Sequence, residues 1–256
     1  MSMRNYIAFA GKEIIEGIRT YKSIILLAVF LIFGIMNPLF AKLTPVIISS
    51  FAGEGISISV PDPTAIDSWI QFFKNNSQLG FIVVVLLFSG VLASEVSRGT
   101  LINMLTKGLS RTTVILAKYS VMVLLWTLAY VLCLLVTLAY TVYLFPDNNA
   151  SNLPFAVFAL WLFGVLLISV LMLAASGLKS SYSCLLAVGA FVVVLMLIGI
   201  APAVHDFNPM SLASDSVALM TEAIDPESLI PAVAVSVAGS IACLVGAILI
   251  FRKRQL

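Results

Sequence analysis

Charge is scarce in this sequence. Of its 256 residues only 10% are Asp, Glu, Lys or Arg, while 61% are apolar; soluble domains carry about 25% charged residues. That balance excludes a soluble globular protein. It describes an all-α integral membrane protein with room for six helical spans of roughly 20 residues each. Histidine is nearly missing: His205 stands alone beside Asp206 in a polar stretch, where such a pair reads as a surface feature. The three cysteines, Cys133, Cys184 and Cys243, each lie inside an apolar run, and no CxxC or HExxH spacing occurs. They read as packing residues, not as a disulfide or metal set. No phosphate loop of the form GxxxxGK followed by Ser or Thr is present, so the chain does not bind ATP in that way. A TVGYG filter is missing too, which speaks against a potassium-type channel.

What is there is a series of uncharged runs. They place spans at about 23–41, 79–94, 119–145, 154–177, 182–201 and 229–251. Asn37-Pro38 is expected to kink or end the first. No ionisable residue falls in the middle of any of these spans, and their Gly and Pro residues do not form paired broken helices. Ion-coupled carriers and pumps need one or the other. No Ser/His dyad or aspartate pair lies within the spans either, which disfavours an intramembrane enzyme. The polar residues inside them, Asn37, Ser89, Thr127, Tyr130, Thr137, Ser169 and Ser176, are neutral and suit hydrogen bonds between helices or back to their own backbone.

Residues 1–22 are too polar for a signal peptide and carry Glu13 and Glu16. Ile7, Ala10, Gly11, Ile14, Ile18 and Tyr21 recur at helical spacing, with Lys12, Glu16 and Arg19 on another face. The pattern predicts an amphipathic helix lying on the membrane surface. Two longer external segments are expected. Residues 42–78 hold a loop and then a short interfacial helix carrying Ile66, Trp69, Ile70 and Phe73; residues 203–228 are acidic, with no Lys or Arg. With both termini inside, twelve basic residues fall on the cytoplasmic side and only Lys42 and Lys74 outside, as the positive-inside rule requires.

The stretch from Ser94 to Tyr119, SEVSRGTLINMLTKGLSRTTVILAKY, is the polar interruption with the densest basic content. Gly99 and Thr100 can start a short helix with Leu101, Met104 and Leu105 on one face; Gly108 and Ser110-Arg111 then punctuate it. An apolar ridge with basic flanks suits docking into a groove on a cytoplasmic partner. The plainer reading is an intracellular loop with a turn of helix on the lipid headgroups.

Glu95, then Gly99-Thr100-Leu101, Leu105, Ser110-Arg111 and Ala117-Lys118-Tyr119 resemble the coupling segment between spans 2 and 3 in membrane subunits of ABC type-2 transporters. Lys107-Gly108-Leu109 stands where that family often has a proline. The resemblance extends to the layout of the whole chain: an interfacial N-terminal helix, six spans, cytoplasmic ends, and short helices before span 6. It implies a permease of an exporter, without enzymatic activity of its own. The segment 95–118 would contact the ATPase through Glu95, Gly99, Thr100, Leu101, Met104, Leu105 and Arg111. Its expected partners are two cytoplasmic ATPase subunits, a second membrane subunit (the same or different) and membrane lipid, with no nucleic acid. This chain is expected to bind no cofactor, ATP and magnesium belonging to the partner. A membrane scaffold without transport is the alternative. The neutral, aliphatic and aromatic spans suit a hydrophobic or amphipathic cargo.

Overall fold

A computed structural model of the chain describes residues 3–51, 62–92, 95, 99, 106, 108–146 and 150–254, leaving aside the side chains of 48–51 and 203. The described residues form helices and turns. The order is α1 (Met3–Arg19), α2 (Lys22–Phe51), α3 (Ala65–Asn75), a π turn (Asn76–Gly80), α4 (Phe81–Phe88), α5 (Arg111–Leu144), α6 (Leu153–Gly177) and α7 (Ser181–Gly199). A 3-10 turn (Pro202–Phe207), α8 (Ser211–Ser214), α9 (Ser216–Met220), a second 3-10 turn (Pro226–Leu229) and α10 (Ile230–Lys253) complete it. Among the described residues, six helical stretches are long and apolar enough to cross a membrane. Contacts place α1, the start of α5 and the ends of α6 and α10 together at one end of the bundle, the termini end.

Three expectations change. The first span does not stop at Asn37-Pro38: α2 runs on through Pro38 and Pro45 to Phe51. Proline frees the carbonyl four residues back. For Pro38 that is Gly34, whose oxygen accepts a hydrogen bond from Thr137 Oγ1 of α5 at 3.3 Å. The lost backbone bond is thus replaced from a neighbouring helix, as hydrocarbon surroundings demand. Second, the interfacial helix expected at 64–78 is not a separate element. It is continuous with the second span through the π turn, giving a stretch of membrane-crossing length from Ala65 to Phe88 that includes Asp67 and Lys74. Third, the helix that carries the third span starts at Arg111, so residues 111–118, expected as part of the loop, are its first two turns. Ser110 sets that start: its hydroxyl accepts from the Thr113 backbone N–H at 3.1 Å, satisfying one of the helix's unpaired donors.

Polar residues of the second span meet partners inside the bundle. Asn75 Nδ2 donates to Asn37 Oδ1 at 2.7 Å, Asn37 Nδ2 donates to Thr137 Oγ1 at 3.1 Å, and Ser68 and Thr141 share a hydrogen bond at 2.6 Å. This seam ties α2, α3 and α5, as neutral polar side chains do between membrane helices. Asn76 Nδ2 donates to Phe72 O at 2.8 Å at the start of the π turn. The core beside the seam is aromatic. Trp126 lies 5.6 Å from both Phe30 and Phe81 and 5.1 Å from Tyr130, and Phe81 lies 5.3 Å from Phe163. Gly164 of α6 admits this cluster: a Cβ there would stand 2.5 Å from the Trp126 ring.

Candidate coupling site at the termini end

The amphipathic α1 turns its charged face inward. Phe9 and Glu13 are buried, Tyr6 OH donates to Ser120 Oγ at 2.7 Å, and Met3, Ile7, Ile15 and Ile18 are exposed on the outer side. An apolar outer face with the charges against the protein suits a helix whose outer side rests in lipid.

The charges it carries inward meet others from the coupling segment. Glu95 is buried, and so is Lys118, which is only 1% exposed. Lys118 Nζ lies 2.8 Å from Glu95 Oε2 and 2.8 Å from Glu13 Oε2, and it donates to Val91 O at 3.2 Å. Lys12 Nζ contacts Glu13 at 3.0 Å, Glu16 at 2.5 Å, and Glu95. The Phe9 ring packs under both ammonium groups, 5.3 Å from Lys12 and 5.6 Å from Lys118, within cation–π range. Burial alone would push the Glu95 carboxyl up, but the Lys118 charge and the hydrogen bonds from Lys118 and Lys12 outweigh it and hold Glu95 below its ordinary value. Burial would lower Lys12; its bonds to Glu16, Glu95 and Glu13 outweigh that and raise it. Carboxylate oxygens of Glu13, Glu16 and Glu95 lie within 4.8 Å of one another, as in a metal site. The Lys12 ammonium bonds all three, so an internal cation holds that position.

Arg111 has partners within this chain. Its Nη1 donates to Phe251 O and Arg252 O, each at 3.1 Å, and to Arg254 O. It therefore caps the last turn of α10, where carbonyls lack helical partners. Arg254 repeats the arrangement on α6, donating from Nη1 to Ala175 O at 3.2 Å and Ser176 O at 3.1 Å, and from Nη2 to Leu178 O at 3.1 Å. Two guanidinium groups thus tie the start of the third span to the ends of the sixth and fourth.

Of the residues expected to couple, the structure brings Glu95 and Arg111 to this end, on separate partners. Gly99 and Gly108 lie in turns with φ of 68° and 91°, a region that glycine enters without a Cβ clash. Thr100, Leu101, Met104 and Leu105 lie outside the described residues. Sequence reasoning did not join Lys12, Glu13 and Arg254 to this cluster, and named Lys118 only as part of the segment's motif. The available signal was their charge beside otherwise uncharged runs, with the balance of two Lys against three Glu.

No curated protein matches this chain. The model of a family described as ABC-2 family transporter protein matches residues 7–242, nearly the whole chain, from within α1 to the middle of α10. With this match and six membrane-length helices among the described residues, the chain belongs to the ABC-2 transporter permeases and is a multi-pass membrane subunit of an ABC transporter.

Proposed function

We propose that this permease works as an exporter subunit, moving a hydrophobic or amphipathic cargo out of the cytoplasm on ATP hydrolysed by a separate cytoplasmic ATPase. The observation that carries the reading is the buried ion cluster. It joins the interfacial helix, through Glu13 and Lys12, to the first residue of the coupling segment, Glu95, and to the third span, through Lys118. A push on the segment would reach both elements through charges that are costly to separate in a low-dielectric setting. The missing phosphate loop supports an ATPase on another chain.

Basic residues gathered at the termini end, among them Lys12, Arg111, Lys118, Lys179 and Arg252 to Arg254, support a cytoplasmic placement of that end in the cell membrane. A second permease subunit, identical or related, completes the reading, with the cargo path between the two. Leu101, Met104 and Leu105 are the residues proposed to seat in the ATPase groove.

The test is a pull-down of the tagged permease in mild detergent, with ATPase activity measured on the eluate. A co-purifying ATPase that is lost in Leu105→Asp, while the permease still reaches the membrane, is the expected result. Wild-type ATPase recovery with Leu105→Asp would overturn the docking role. A permease that purifies folded but alone would favour the scaffold.

A further inference from the structure

Charge is divided unevenly across the termini end. On the α1 side, carboxylates and ammonium groups meet in the buried cluster. On the other side, α6, α7 and α10 contain no Asp or Glu. The ends of α6 and α10 are held together there. Arg254 bonds the carbonyls of Ala175, Ser176 and Leu178, and a Cβ on Gly177 would stand 3.7 Å from Ile250. That packing sets Lys179, the residue after Leu178, near the end of α10. Arg111 and Arg254 are engaged by carbonyls. Lys179, Arg252 and Lys253 are exposed, and no ion pair among the described residues includes them.

An apolar strip leads down to these cations. Ile241, Val245 and Leu249 recur every fourth residue of α10, and all three are exposed. Residues three, four and seven apart share a helix face. Arg252 follows Leu249 by three positions and Val245 by seven, and Lys253 follows Leu249 by four. The rise from Ile241 to Arg252 is about 16 Å at 1.5 Å per residue, the depth of one leaflet of a roughly 30 Å hydrocarbon core. Tyr182, exposed at the start of α7, stands at the same end, where its ring suits the headgroup level.

We infer that an anionic lipid lies along this outer face of α10, in the leaflet at the termini end. An acyl chain follows Ile241, Val245 and Leu249, and the phosphate meets Arg252 with Lys253 and Lys179 on its flanks. Exposed apolar side chains running into a cationic end have the layout of an amphiphile; a water-soluble partner would meet only the cations. A zwitterionic head would bring a further cation to a place that already has three and no acid, so a head of net negative charge is favoured. The planar fork of Arg252 matches phosphate oxygens. Such binding requires only that these helices cross a membrane; direction of transport, cargo and ATPase do not enter.

The test uses the full-length permease in nanodiscs containing a trace of phosphatidylglycerol or phosphatidylcholine with a photoactivatable group in mid-chain, and cross-linked peptides are mapped by mass spectrometry. Phosphatidylglycerol is expected to label 241–249 about fivefold more than phosphatidylcholine, the ratio that a single engaged cation supplies. The triple variant Lys179→Gln/Arg252→Gln/Lys253→Gln should bring the two lipids to parity with an unchanged thermal midpoint, since these side chains are exposed. If that variant does not reach the membrane, salt reads the same contact in wild type: at about 1 M, where the screening length is about 3 Å, the preference should fall severalfold. Equal labelling by both lipids in wild type would overturn the acidic head and leave the cations to a partner protein. Preferential labelling confined to other helices would overturn the α10 strip. A preference that survives both the triple variant and high salt would overturn the three named cations. Displacement of the label by millimolar glycerol phosphate would show a phosphate site that needs no acyl chain, and would overturn the lipid.

Discussion

Replacing Lys118 by Met isolates the cost of the buried cluster. The methionine keeps most of the side-chain volume and removes the ammonium that Glu95 and Glu13 each approach at 2.8 Å. Wild type holds three carboxylates against two ammonium groups; the variant holds three against one. Glu13 is 8% exposed by side chain and Glu95 7%, so water cannot replace the missing charge. Breaking a buried pair from one side costs about 3–5 kcal/mol. At the 2–4 °C per kcal/mol of chains this size, the apparent midpoint should fall by roughly 6–20 °C. Fluorescence-detected melting in one detergent, with monodisperse elution as the control, measures it. Adding Glu95→Gln should recover part of the loss, because one uncompensated carboxylate is then neutral. A shift of less than about 2 °C for Lys118→Met, or no recovery in the double variant, would refute the cluster's energetic role.

Three further outcomes follow from the same geometry. Glu95 titrates below its ordinary value of 4.5 when folded. Its contribution is therefore complete above about pH 4.5 and fades as pH falls through the lower folded value, so Glu95→Gln should flatten the acid limb of a midpoint-versus-pH curve. Arg111→Gln removes the donor from three carbonyls at the end of α10; hydrogen exchange should rise at 251–254, with a loss of about 1.5–3 kcal/mol in local stability. Unchanged exchange would show that the cap is not needed. Gly164→Ala puts a methyl 2.5 Å from the Trp126 ring and should destabilise by about 1–3 kcal/mol, read as a lower midpoint and altered tryptophan fluorescence.

The fold and the site were legible to different depths. Uncharged runs marked at least the apolar part of each of the six membrane-length helices found among the described residues, because a chain crossing hydrocarbon must be apolar over a length set by the bilayer. Ser110-Arg111 was visible as punctuation, and the structure makes it the cap of α5. The second span was misread because a polar residue in a sequence looks water-facing. Ser68, Asn75 and their neighbours divided one helix into two on paper, yet they meet Thr141 and Asn37 inside the bundle. Pro38 looked like an end for the same reason, its replacement donor being 99 residues away on Thr137.

Local information thus determined which segments are helical, which are apolar and where basic charge gathers. Tertiary structure alone decided which charges meet. Glu13 and Lys118 are 105 residues apart, and nothing in their spacing says that they share a site. Arg111 reads in the sequence as one more basic side chain; only the placement of α10 beside the start of α5 supplies the carbonyls it bonds. Periodicity records the face of a single helix; a buried ion pair or a cap between helices is a property of how several helices are placed, and burial is what gives those contacts their energy.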